Sequence, residues 1–450
     1  NTIYASGEGS VGMFIQNGTG YNYGSIYLQG DNTTAIQLDG ETASLRVQGN
    51  IYHNPEYDGI TYFWTSNGAS YTLDYPGGVE VENYTLGKAT DSGKLTVSGN
   101  STVYVRGENS YLLIGNSGAE LYNYGTLYAS AGASPIVVSG EAKVANGGTI
   151  NISGGGNAMQ GADNNTILQN LPDGVINVNN GNGMYASNLA SPTNYGTINV
   201  QEGVGMYLTG MTLSGATTGS NYGSINVSGW GNYGALVSNG AVFTNQGVIS
   251  VSCADCEGGQ YAIGMGGGSN LGTISVKEHG IGIEYGENNG EIGIGADSAI
   301  GMRGGINNGV IGGNSTASGT GMSGGENNGT IDIYSGTGMK NGINNGGITV
   351  NNGTGMNNGT NNSTIDVTNG NGGVASNGGM FTNHGEITVG SGNGILVQSG
   401  GYGVNSASGT ITLAGKGYGA KVEDGDFLNA GTINFSSKNG GSCANVSVGG

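Results

Sequence analysis

The sequence predicts an all-β fold, a single-stranded parallel β-helix with coils of about 17–27 residues. Three observations predict it. First, a corner-and-strand unit recurs: Asn194-Tyr-Gly-Thr-Ile198-Asn-Val200, Asn221-Tyr-Gly-Ser-Ile225-Asn-Val227, Asn327-Asn-Gly-Thr-Ile331-Asp-Ile333 and Asn429-Ala-Gly-Thr-Ile433-Asn-Phe435. A unit this short has no core of its own and must stack on its copies. Second, Ile and Val alternate with polar residues between the 97 glycines of the 450 residues, so there is apolar surface to bury. Third, no 3.6-residue apolar period occurs, and Gly, Asn and Thr weaken helices. Collagen is excluded because the glycines follow no three-residue period.

The first aliphatic residue of each strand anchors the coils in order. The series runs Ile26, Leu45, Leu95, Leu127, Ile150, Ile176, Ile198, Ile225, Ile249, Ile274, Ile292, Ile311, Ile331, Ile348, Ile365, Ile387, Ile411 and Ile433. A propeller blade needs roughly 40 residues, so these shorter, variable steps suit a coil whose turns change length while its strands keep register. At about 4.8 Å per coil, some 18 to 20 coils make a body on the order of 90 Å long. Residues two apart share a face, so Ile198 with Val200 and Ile331 with Ile333 point inward.

Four residues before the anchor, asparagine recurs at Asn22, Asn123, Asn146, Asn194, Asn221, Asn245, Asn270, Asn288, Asn307, Asn327, Asn344, Asn361, Asn383 and Asn429. Amides stacked at one-strand spacing hydrogen-bond from coil to coil as a ladder. The glycine two residues later, as in Gly196, Gly223, Gly290 and Gly329, is expected to supply a positive φ at the corner. A second line, Gly-x-Gly-Met or close to it, places Met184, Met206, Met265, Met302, Met322, Met339 and Met356 on a common face. Methionine fills irregular gaps, so core packing outweighs a soft-metal stack.

The chain reads as one continuous solenoid in three stretches: a Tyr-rich part at 1–130, long coils at 131–265, and 266–450 with short coils that lengthen again after 370. Between Leu45 and Leu95 the step doubles, which predicts an aromatic insert at about 48–93. It holds Tyr52, Tyr57, Tyr62, Phe63, Trp64, Tyr71, Tyr75 and Tyr84 beside His53, Asn54, Asp58, Asp74 and Glu80. An insertion on a solenoid maps to one face, often the binding face, and Tyr and Trp give contact area with a polar handle. The ligand-binding candidates are Tyr57, Tyr62, Trp64, Tyr71, Asp74 and Tyr75. The competing reading is a small packing cluster, and aromatic exposure separates the two.

Cys253-Ala-Asp-Cys256 is the one CxxC, and Cys443 stands alone. A local disulfide or free thiols outweigh a redox motif, which needs a βαβ context, and a zinc half-site, for which His279 one coil later gives a third ligand and nothing a fourth. Catalysis has little support. His53, His279 and His384 fall in different coils, Arg46, Arg106 and Arg303 are far apart, and Asp297, Asp332 and Asp366 lack the paired spacing of glycosidases. The expectation is no enzyme, no cofactor and no metal site.

The formal net charge of −19 with 11 Lys+Arg argues against nucleic acid and against anionic membrane surfaces. No apolar run approaches the 18 residues of a membrane-spanning helix. The chain opens at Asn1 without a signal-peptide pattern and reads as a segment of something longer.

The Asn-x-Gly-Thr-Ile-x-Val unit followed by Gly-x-Gly-Met resembles the passenger repeats of type V-secreted autotransporter adhesins, in particular the large surface adhesins of fusobacteria. The likeness covers most of 120–435. It implies right-handed winding, display on the cell surface and a C-terminal outer-membrane barrel outside this chain. It also implies attachment to a host or bacterial glycan or protein receptor, and it transfers no binding residues. The readings that follow are an adhesin stalk, a self-associating surface protein and, third, a polysaccharide lyase or hydrolase.

Overall fold

The structure, a computed structural model, describes residues 1–212, 215–257, 259–313, 318–436 and 442–446. Among the described residues there is no helix, and successive strands pair in parallel as a β-solenoid. The winding is consistent with the right-handed sense that parallel crossovers take. Chain contacts divide it into two compact units, Asn1–Val227 with Asn232–Phe243, and Ser228–Gly231 with Thr244–Gly450.

In the first unit one coil shows the plan. Thr126–Ser130 forms a first face, Ile136–Val138 a second and Lys143–Asn146 a third, before Thr149–Ser153 returns to the first. Leu127, Ile150, Ile176 and Ile198 lie over one another in register and are fully buried. Each such side chain contributes about 1.5–3 kcal/mol by leaving water. The second unit repeats the plan with Ile249, Ile274, Ile292, Ile311, Ile331 and Ile348 in register. Its coils tighten to 17 residues, as from Asn327 to Asn344, against 27 from Asn194 to Asn221 in the first.

The asparagine ladder lines the third face. In the first unit Nδ2 of Asn123, Asn146, Asn170 and Asn194 donates to Oδ1 of the next member at 2.7–2.8 Å, ending on Asn221. In the second unit the series runs from Asn245 through Asn270, Asn288, Asn307, Asn327, Asn344, Asn361, Asn383 and Asn405 to Asn429. Asn170 and Asn405 stand six residues before their anchors, so a four-residue rule passes over them. Their corners are two residues longer and still return the amide to the same place.

The corner glycines act differently from the expectation. Gly196, Gly223 and Gly329 are not among the positive-φ residues. A Cβ there would sit 2.1–2.2 Å from the carbonyl oxygen of the corner below. That corner also bonds tightly: the amides of both Tyr222 and Gly223 donate to the Asn194 carbonyl, at 2.8 and 3.0 Å. Close backbone approach, not handedness, selects glycine.

Methionine fills the bore as expected. Met159, Met184 and Met206 are stacked and fully buried, as are Met302, Met322, Met339 and Met356. In the next coil Gly373 takes the methionine position, and the buried Phe381 ring moves in, 2.1 Å from where its Cβ would be. Cys253 and Cys256 form a disulfide in the corner after Val248–Ser252 and are buried. The side chain of Cys443 lies outside the described residues.

The predicted insert at 48–93 is solenoid wall. Leu45 and Leu95 belong to the third face, in register with Gly20 and Leu121, whereas Ile26 pairs with Ile51 and Val79 with Val103 on the first. The doubled step came from jumping between faces. Thr61–Ser66 pairs with Thr34–Asp39 on one side and Thr85–Ala89 on the other, as any second-face strand does.

Candidate functional site

Segment 44–82 nevertheless departs from the plan. Ser44–Val47 pairs only with Thr19–Asn22, and Ile51–His53 only with Ser25–Leu28. Across the gap, Ser70–Leu73 pairs only with Lys94–Val97 and Val79–Glu82 only with Thr102–Arg106. Two of the three faces are therefore unzipped between neighbouring coils while the second stays closed. Inward residues feel the opening: Leu45, Val47, Ile51 and Val79 are half-buried, where Leu95, Val97 and Val103 are fully buried.

Aromatic side chains wedge the gap. Tyr62 occupies the inward second-face position taken by Ala35 and Leu86 in the adjoining coils. Its ring stacks on Tyr84 at 4.3 Å, and its hydroxyl lies 2.9 Å from His53 Nδ1. Tyr71 replaces a leucine, being in step with Leu95, and stacks on Phe63 at 4.8 Å. The buried Tyr84 donates its hydroxyl to the Glu80 carbonyl. Desolvation follows: the Tyr62 phenol is pushed up to about 12, and those of Tyr84, Tyr75 and Tyr71 also rise, mainly through burial. The same cause lowers the His53 imidazole below its ordinary value.

A cavity of about 330 Å3 remains open between the two coils. One lip is Val47, Gln48, Asn50 and Ile51; the other is Tyr71, Asp74, Tyr75 and Val79, with Tyr62 and Phe63 behind. Asp74 is exposed, and one of its oxygens accepts a hydrogen bond from Ser98 Oγ. Tyr75 is half-buried, its backbone amide donating to Ser101 Oγ.

Four of the six sequence candidates, Tyr62, Tyr71, Asp74 and Tyr75, thus meet at one opening. Tyr57 does not: it is half-buried in the corner after Ile51–His53 and is not among the residues lining this opening. Trp64 is also elsewhere. It faces outward on the second face, donates Nε1–H to Thr90 Oγ1 at 3.0 Å and carries Lys88 Nζ 4.7 Å above its ring. Lys88 borders a second, larger cavity of about 510 Å3 with Asn32, Asp58, Asn83 and Tyr111.

Sequence reasoning passed over the opposite lip and a further exposed feature. Tyr4, Tyr27 and Tyr52 stack in register along the outside of the first face at 5.2 and 4.9 Å, and Tyr104 on Tyr128 at 5.2 Å. Four of these five tyrosines are 42–62% exposed, more than any member of the wedge. The signal was present: each is the middle residue of an aliphatic-Tyr-x triplet, the position that points to water. Among the described residues no three His, Cys, Asp or Glu side chains gather in a metal-binding group. Comparison with family models and with curated proteins finds no match for this chain.

Proposed function

We propose that this chain is a non-catalytic recognition stalk of a cell-surface adhesin, of the autotransporter-passenger kind, and that the aromatic opening at 44–82 is its receptor site. One observation carries the reading: among the described residues of a wall otherwise zipped by strand pairing, two faces part at one place, and aromatic rings with polar rims line the gap. A host or bacterial glycan or protein receptor contacts that opening, and many weakly binding copies on one cell add by multivalency. The repeat resemblance supports display through an outer-membrane barrel outside residues 1–450. The test is binding of chain 1–450 to cells and to arrayed receptors, with Tyr71→Ala and Tyr75→Ala compared with the parent. Unchanged binding by both variants refutes the assignment.

A second reading has its own observation. The exposed Tyr4, Tyr27 and Tyr52 stack is apolar and uncharged in a chain of net charge −19, so it offers a place for copies to associate. Light scattering against concentration tests it, and a monomer at high concentration rejects it.

A further inference from the structure

Three properties of the opening narrow what it accepts: its width, its charge and its volume. A polypeptide inserted as an extra strand needs its two neighbours about 9.6 Å apart, twice the 4.8 Å strand spacing. Cα atoms of Ser44–Val47 and Ser70–Leu73 still approach within 8 Å. On this third face the gap is too wide for the two edges to pair with each other and too narrow for a third strand between them.

Charge excludes a second class. Of the residues lining the cavity, Asp74 alone is charged, and no Lys or Arg lines it. A ligand carboxylate, sulfate or phosphate would leave water with no cation to meet it and would face Asp74 as well. Volume excludes a third. About 330 Å3 lies at the lower end of the 300–1,000 Å3 of small-ligand sites, room for one ring and not for a run of them.

The lining has a consistent chemistry. Tyr62 and Tyr71 each have one ring face taken, by Tyr84 and Phe63, and both border the cavity. Aromatic rings pack against the C–H face of a pyranose, while Asp74, Gln48 and Asn50 at the rim reach hydroxyl groups. Ser98 holds one Asp74 oxygen, which fixes the carboxylate and leaves the other as an acceptor. The unpaired strand edges on both lips add backbone N–H and C=O groups that strand pairing uses up where neighbouring coils close.

We infer that the opening binds a single uncharged terminal sugar ring, the end of a glycan, rather than an acidic sugar, an internal stretch of polysaccharide or a peptide strand. This rests on the receptor-site reading above. The ring enters from the side, aromatic faces below it and amides around its rim, and the rest of the glycan stays in solvent.

The experiment uses chain 1–450 on an array of three probe classes: glycans ending in uncharged hexoses or N-acetylhexosamines, glycans ending in sialate or uronate, and extended twelve-residue peptides. Two variants accompany it. Gln48→Trp fills the mouth from the exposed lip without touching the wedge, and Asp74→Asn removes the acceptor charge; circular dichroism confirms that each is folded. The expected result is binding to uncharged termini, weakened about tenfold or more by either variant. Binding confined to acidic termini or to peptides overturns the inference and leaves the receptor-site reading standing. Binding of uncharged termini that Gln48→Trp leaves intact places the sugar elsewhere and overturns both. No binding in any class overturns the inference.

Discussion

The coils at 330–375 and those at 44–82 obey one plan with opposite outcomes. In the first stretch Thr330–Asn344 pairs with Gly347–Asn361 along almost its whole length, and Met339 over Met356 fills the bore. In the second, a single face holds two coils together and tyrosines occupy the space between them. The difference lies at two positions per coil. Where the ladder position is Asn and the bore position is Met behind a glycine, neighbouring coils close. Where the ladder position is Val47 or Leu73, and Tyr62 stands where the methionine coils have the glycine before the bore residue, they part. A repeat therefore becomes a site by substitution at its register positions, with no added chain.

The largest expected effect tests the closed coils. Met339→Ala leaves a void in a fully buried bore and should cost about 2–5 kcal/mol in urea unfolding. The matching Leu45→Ala at the open coils should cost less than half as much, because Leu45 already touches solvent. Equal losses would break the contrast between the two stretches.

The ladder gives the next test. Asn327→Leu strands the Asn307 amide and the Asn344 carbonyl inside the wall and should destabilise by about 2–4 kcal/mol. Asn22→Leu should cost less, about 1 kcal/mol or under, since Asn22 Nδ2 is buried without a partner and only the Gly24 amide, which donates to its Oδ1, loses a bond. The reason is visible one coil on, where the residue in register is Val47. Val47→Asn should accordingly stabilise by up to about 1 kcal/mol, read from the same unfolding curves.

The smallest effect is a pH slope. His53 is held below its ordinary range by desolvation, so the folded state resists a proton that the unfolded chain accepts. Its contribution is full above about 6.5 and is lost as the pH falls through the lowered folded value. Unfolding followed by Trp64 fluorescence in a Trp230→Phe background should show lower stability at pH 5 than at pH 7. A His53→Gln variant should flatten that slope, and an unchanged slope would remove His53 from the wedge.

Much of the fold was legible because the features that build it repeat. The Ile line, the Asn ladder and the Met line each recur at positions fixed by stacking, so one motif locates many coils. The site was less legible because it is a failure of repetition. Leu45 and Leu95 look like anchors, since an aliphatic at an inward third-face position cannot be told from one on the first face by local pattern. The reading turned a face change into an insertion. Tyr62, Tyr71, Asp74 and Tyr75 were picked out by composition and do converge, yet Trp64 and Tyr57, chosen on the same ground, point elsewhere. Which way a side chain projects depends on register, and register across 44–82 is set by pairing partners some 25 residues away.

Every amide of the second unit's ladder donates toward higher residue number, from Asn245 to Asn429. Their dipoles add, much as peptide dipoles do in a helix. Asn405 donates to Asn429, whose own Nδ2 turns to the Gly431 carbonyl of its corner. Synthesis delivers coils in the same order, so each asparagine carbonyl that arrives meets an amide donor already held in place by the coil before it.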